Sequence, residues 1–164
     1  MGVNRIEKVS ANVRASIFEL AEQSVKNHNR NGRSRDETVF HIVVGKIGEF
    51  CFLKQFLHRE TDEKLFTINE KTDDGWDFDV NGVKIDVKAS NHPNARKMFV
   101  RPNALNSDVY VFFKIFGAYP ILDMGLFYGW LTKDEVKKKL GNNNFICLSD
   151  MNKSEEELIE FLKV

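Results

Sequence analysis

Residues 76–89 contain two segments in which apolar and charged side chains alternate without a break. They are Trp76-Asp77-Phe78-Asp79-Val80 and Val83-Lys84-Ile85-Asp86-Val87-Lys88-Ala89, joined by Asn81-Gly82. Side chains of an extended chain point alternately to its two faces, so each segment predicts a half-buried strand. Asn-Gly supplies the two positive-φ residues that a tight hairpin turn requires. A two-residue turn at 81–82 sets the register: Val80 faces Val83, Asp79 faces Lys84, Phe78 faces Ile85, and Asp77 faces Asp86. The chain must therefore build a sheet with one apolar and one charged face here.

The flanking sequence predicts the rest of the scaffold. Val13, Ile17, Leu20, Ala21 and Val25 recur at helical spacing behind Ser10, a suitable N-cap. Residues 27–36 are polar, basic and turn-prone and read as a loop. A second helix is expected over residues 40–59. Its two glycines, Gly45 and Gly48, each cost roughly 1 kcal/mol relative to alanine, which suggests a close approach to another backbone. Residues 65–68, 109–116, 126–131 and 145–148 read as strands. Thr132 with Glu135, and Ser154 with Glu157, have the spacing of capping boxes that open two further helices, the first running over residues 133–140 and closing at Gly141. The expected class is α+β (mixed α/β), a central mixed sheet flanked by helices. One domain is expected over residues 1–164: an N-terminal helical and basic segment (1–36), a core (40–148) and a C-terminal helix (154–164).

Composition narrows the class of protein. With 42% hydrophobic residues and fourteen Phe the chain can fill a core, which argues against disorder. No apolar run reaches the roughly 18 residues of a spanning helix, and residues 1–7 do not read as a secretory signal. Cys51 and Cys147 sit in apolar surroundings without ligand-like spacing and read as buried thiols, so a cytoplasmic location is expected. Lysine plus arginine and aspartate plus glutamate balance at 24 each, but unevenly along the chain. Residues 1–35 carry a balance of +4 and residues 60–90 one of −5, whereas residues 91–101 hold Arg96, Lys97 and Arg101 and no acid. An acidic segment between basic ones suits a cation site set in a polyanion-binding surface, with Arg33, Arg35, Arg96, Lys97 and Arg101 as candidate substrate contacts.

The hairpin register gives the acidic segment its chemistry. Asp77 and Asp86 would stand with Cβ atoms roughly 5 Å apart. Two bare carboxylates at that distance repel by about 3 kcal/mol at an effective dielectric near 20. A divalent cation converts that repulsion into binding, since Mg²⁺ takes oxygen ligands and leaves positions for water and phosphate. Lys88 follows Asp86 on the same face, about 7 Å along the strand. Two other acid-Xaa-Lys triplets, at 62–64 and 135–137, lie in a polar connector and on a predicted helix, where they share no face. Asp79 reads as a structural charge opposite Lys84. Glu49 lies on the side of its helix that also carries Ile42, Gly45, Phe52, Leu53 and Phe56, a side expected to be buried.

Glu49 on a Gly-Xaa-Gly-Glu helix, Gly75-Trp76-Asp77, and Ile85-Asp86-Val87-Lys88-Ala89-Ser90 together resemble the PD-(D/E)xK nuclease superfamily. The resemblance spans residues 45–90. The later strand at 108–112 and the turn into helix at 129–135 also resemble small restriction-type and phage-type members. No proline precedes Asp77, and aspartate stands at the (D/E) position. The resemblance implies a restriction-endonuclease-like core and an Mg²⁺-dependent endodeoxyribonuclease, with Mn²⁺ able to substitute. It implies that Asp77 and Asp86 ligate the metal and that Glu49 completes the site. Lys88 would position and polarise the attacking water, and Ser90 would support the site or touch DNA. DNA is then the partner, and a symmetric homodimer is the simplest assembly that places a site on each strand. The alternative is a catalytically silent nuclease-fold module that binds nucleic acid or protein. Within the enzyme class, a structure-specific nuclease such as a junction cutter is the other form.

Overall fold

The computed structural model describes residues 6–25, 32, 34–57, 75–118 and 121–164. In chain order the elements are β1 (Ile6–Lys8), α1 (Ala11–Val25), α2 (Arg35–Phe56), β2 (Phe78–Val80), β3 (Val83–Ser90), β4 (Lys97–Phe99), β5 (Val109–Ala118), β6 (Ile121–Thr132), α3 (Lys133–Leu140), β7 (Phe145–Cys147) and α4 (Glu155–Leu162). Five strands form one sheet in the order β1-β6-β5-β3-β2, and β4 pairs with β7 in a second, two-stranded sheet. Among the described strands only the β3–β5 pair is parallel. The class is α+β, as the alternation of patterns predicts. No helix among the described residues is long and apolar enough to cross a membrane.

β5 is central because it is apolar on both faces. Val109, Val111, Phe113 and Ile115 enter one core together with α1 and α2. Tyr110 and Phe112 enter another with β4, β7 and α3, through Met98, Ile146, Val136 and Leu140. β3 is apolar on one face only. Ile85 and Val87 join the α2 side, and the alternation of the strand turns Asp86, Lys88 and Ser90 to the side of Tyr110, Phe112 and Lys114, their register partners on β5.

The hairpin forms as expected, with Phe78 paired to Ile85, Asp79 to Lys84 and Val80 to Val83. Asn81 and Gly82 take φ values of 53° and 85°, the positive pair that a two-residue turn demands. The carboxylate of Asp79 accepts the Gly82 N–H at 2.9 Å and locks the turn. Gly48 also meets its expectation. A Cβ there would stand 2.7 Å from the Ala89 Cβ and 3.9 Å from its Cα, so α2 lies on β3 with little more than the Ala89 methyl between them. Gly45 does not meet it: a Cβ there would find no neighbour within 4 Å among the described residues.

Several boundaries need correction. α2 starts at Arg35, not at residue 40, because Ser34 opens it with a full capping box that the run of polar residues obscured. Glu37 N–H donates to Ser34 Oγ at 3.2 Å, and Ser34 N–H donates to Glu37 Oε2 at 2.9 Å. The helix ends at Phe56. β6 starts at Ile121, five residues earlier than the expected 126. The three-residue strands β1 and β4 are too short to show alternation in the sequence. Cys147 is exposed, whereas Cys51 is buried. Ile146 faces the core from a short strand, so its neighbour must face out. The expected strand at 65–68 lies outside the described residues.

β6 carries two residues more than its partner, one at each of two register shifts; Asp123 is the extra residue at the first, between the Phe116–Met124 and Gly117–Leu122 pairs. Phe112 pairs with Gly129 but Phe113 pairs with Phe127, which leaves Tyr128 as the extra residue of a β-bulge. Phe127 and Trp130, three apart, both reach the α-helical core, which strict alternation forbids.

Candidate active site

Four side chains named from the sequence converge around β3. Asp86 and Lys88 share one face of the strand, and Lys88 Nζ lies 2.6 Å from Asp86 Oδ2. Asp77 comes from the residue before β2, where the ladder changes. Its N–H donates to the Ile85 carbonyl at 2.7 Å, the partner of Phe78, and its Oδ2 accepts the Val87 N–H at 2.7 Å. The expected cross-strand pairing of Asp77 with Asp86 is thus replaced. A carboxylate takes the place of the next ladder carbonyl, which fixes the side chain against β3. Glu49 arrives from α2, one residue after the glycine seated on Ala89. Lys46, one turn earlier, donates to Glu49 Oε2 at 2.7 Å.

Burial and charge act on this group together. Glu49 is 8% exposed and Asp86 9% exposed. Burial raises the Glu49 carboxyl above its usual value; Lys46 opposes this and the Asp86 charge adds to it. Asp77 is pushed up to about 8, first by burial and then by the charges of Glu49 and Asp86, against the Val87 N–H and Lys88. The three carboxylates therefore share one low-dielectric region with Lys46 and Lys88. Such a cluster of opposed, buried charges is characteristic of functional sites.

The donor set is all carboxylate oxygen, which suits a hard divalent cation such as Mg²⁺. Among the described residues no three acidic, histidine or cysteine side chains stand together as a ready metal site. Lys88 holds Asp86 and Lys46 holds Glu49, so two ammonium groups occupy the electrostatic role that a cation would take.

The remaining predicted contacts are scattered. Ser90 is half-buried, and its Oγ accepts the His92 N–H at 3.2 Å, shaping the exit from β3. Arg96 is exposed just before β4. Lys97 is exposed on β4, its ammonium 3.7 Å from the centre of the Phe145 ring. Met98 is the β4 residue that faces the core, so Lys97 points away from Asp86 and Lys88. Arg101 is exposed at the start of a short 3-10 turn. Arg35 pairs with Glu22 of α1, and Arg33 lies outside the described residues.

Two features escaped the sequence reading. Lys46 was detectable from its i,i+3 spacing to Glu49. Lys114, Tyr128 and Lys153 come together only through the bulge and the return of the chain after β7. Lys114 Nζ lies 4.3 Å and Lys153 Nζ 3.6 Å from the centre of the Tyr128 ring. Compared with protein-family models, curated protein sequences and solved structures, the chain matches none.

Proposed function

We propose that this chain is a metal-dependent endodeoxyribonuclease built on a restriction-endonuclease-like core. The observation that supports this reading is the pairing of Asp86 with Lys88 on one face of β3, with Asp77 and Glu49 coupled to them by charge. Asp77 and Asp86 would hold Mg²⁺, and Glu49 would complete the set from α2. When bound, such an ion stabilises charge on a phosphoryl group and lowers the pKa of a bound water. The chain's own residues do the rest. Val87 N–H fixes the orientation of the Asp77 carboxylate. Lys46 keeps a charged partner beside the buried Glu49. The Lys88 ammonium, beside Asp86, would orient water and stabilise negative charge on a phosphate.

The test is conversion of supercoiled plasmid by purified protein in Mg²⁺, in Mn²⁺ and in EDTA. Native protein should cut with either cation and stop in EDTA. Asp86→Ala and Lys88→Ala should each lose at least about 100-fold in rate, the scale of removing one transition-state contact. Lys88→Ala should keep the rise in melting temperature with Mg²⁺. Failure of native protein to cut in both cations, or equal cutting by Asp86→Ala, refutes the reading. DNA binding without cutting would instead identify a silent binding module.

A further inference from the structure

On the face of the sheet that carries Asp86, Lys88 and Ser90 lies a cavity of about 420 Å³. That falls within the range of small-ligand sites, roughly 300–1,000 Å³. Arg96, Lys114, Tyr128, Cys147, Ser149 and Asn94 line it, and among the described residues no carboxylate does. Lys153 stands at its margin over the Tyr128 ring, its Nζ donating to the Leu148 carbonyl at 2.7 Å. Among the described residues, neither Arg96, Lys114 nor Lys153 has a carboxylate partner. Two lysines over one ring repel each other, and burial together with Lys114 lowers the Lys153 ammonium to about 8. A protein that needed only a stable surface would gain by placing an acid here.

We propose that this cavity is a phosphate-binding subsite that takes a phosphate group of a nucleic-acid strand. Three cations with the Asn94 amide match a multi-oxygen anion, and arginine suits phosphate geometrically; the Ser149 hydroxyl donates instead to Asp150 Oδ1 at 3.2 Å. The ring of Tyr128 is already engaged by ammonium groups, so the cavity offers charge and not an open stacking platform. Ser90 and Lys114 are register neighbours. The Cα of Lys114 therefore lies two residues along and one strand across from Lys88, about 8 Å away. A strand laid across this face would reach both. The choice of a nucleic-acid strand rests on the nuclease reading; the phosphate chemistry does not.

The test measures binding of inorganic phosphate, and of one labelled single-stranded DNA with either a 5′-phosphate or a 5′-hydroxyl, in EDTA. It compares the native chain with Lys114→Met/Lys153→Met and with Arg96→Gln, the second deciding if the first fails to fold. Phosphate affinity should fall at least about 10-fold in the variants. A similar preference for the 5′-phosphorylated DNA assigns the cavity to a strand end. Equal binding of both DNAs, lost together in the variants, assigns it to a backbone phosphate. Asp86→Asn should leave phosphate affinity unchanged, so the subsite and the nuclease reading fail separately. Unchanged affinity for phosphate and both DNAs in the folded variants, or phosphate binding lost with Asp86→Asn, overturns the proposal.

Discussion

Replacing Asp77 by Asn should change how stability depends on pH in metal-free protein. The carboxyl of Asp77 is pushed up to about 8 from an ordinary value of 3.8. The folded protein therefore keeps a proton that the unfolded chain has released. That contribution to stability is fully present below pH 4 and is lost as pH rises through about 8. Over the interval between the two values, one retained proton makes stability fall by roughly 1.4 kcal/mol per pH unit. From pH 5 to pH 7 this amounts to about 3 kcal/mol. Asn is uncharged at every pH and keeps an oxygen for the Val87 N–H. Urea denaturation in EDTA, at several values between pH 5 and 8, should show a slope shallower by about one proton in Asp77→Asn. Mg²⁺ at pH 8 should raise the native midpoint, since cation binding favours the ionised carboxylate, and should raise it much less in the variant. Equal slopes for the two proteins would refute the account of Asp77 as a buried member of a carboxylate cluster.

Gly48→Ala places a methyl group 2.7 Å from the Ala89 Cβ. It should destabilise the protein by about 1–3 kcal/mol in urea, and slow plasmid cleavage more than it slows folding, because Glu49 is the next residue. Ser34→Ala removes one side of the capping box and should cost ~1 kcal/mol in the same assay, leaving cleavage unchanged.

The parts of the fold legible in the sequence were those with local causes. Asn81-Gly82 fixed a turn, and alternation fixed which of Ile85 and Asp86 would be buried on the helical side. The box at Thr132 opened α3 as expected, whereas Ser154 caps α4 without the reciprocal bond, since its own N–H donates to Asn152 Oδ1 and Glu157 Oε2 accepts from Asn152 instead. Asp86 and Lys88 followed from period-two spacing alone. Ser34 has the same capping spacing, but it sits among arginines and asparagines and no apolar repeat begins until Val39. Asp77 was expected on the strand opposite Asp86 but lies one residue before β2, because its carboxylate competes with the backbone for the Val87 N–H. That competition is a tertiary choice with no sequence period. The cavity was illegible for a similar reason. Its cations come from the segment before β4, from β5 and from the segment after β7, and only the closed sheet brings them together.

The extra residue at Tyr128 separates two kinds of evolutionary change. Removing it would leave Phe112 opposite Gly129 and Phe113 opposite Phe127, so the neighbouring residues keep their partners and faces and only the bulge is lost. Removing a residue from the regular stretch beside it would instead exchange core and surface along the strand. What leaves with Tyr128 is the ring that Lys114 and Lys153 share, so length at this position is held by the cavity and not by the fold. Descendants of this chain can discard the cavity by one deletion at the bulge or retune it by point substitution, while single-residue deletions in the flanking strand should be purged.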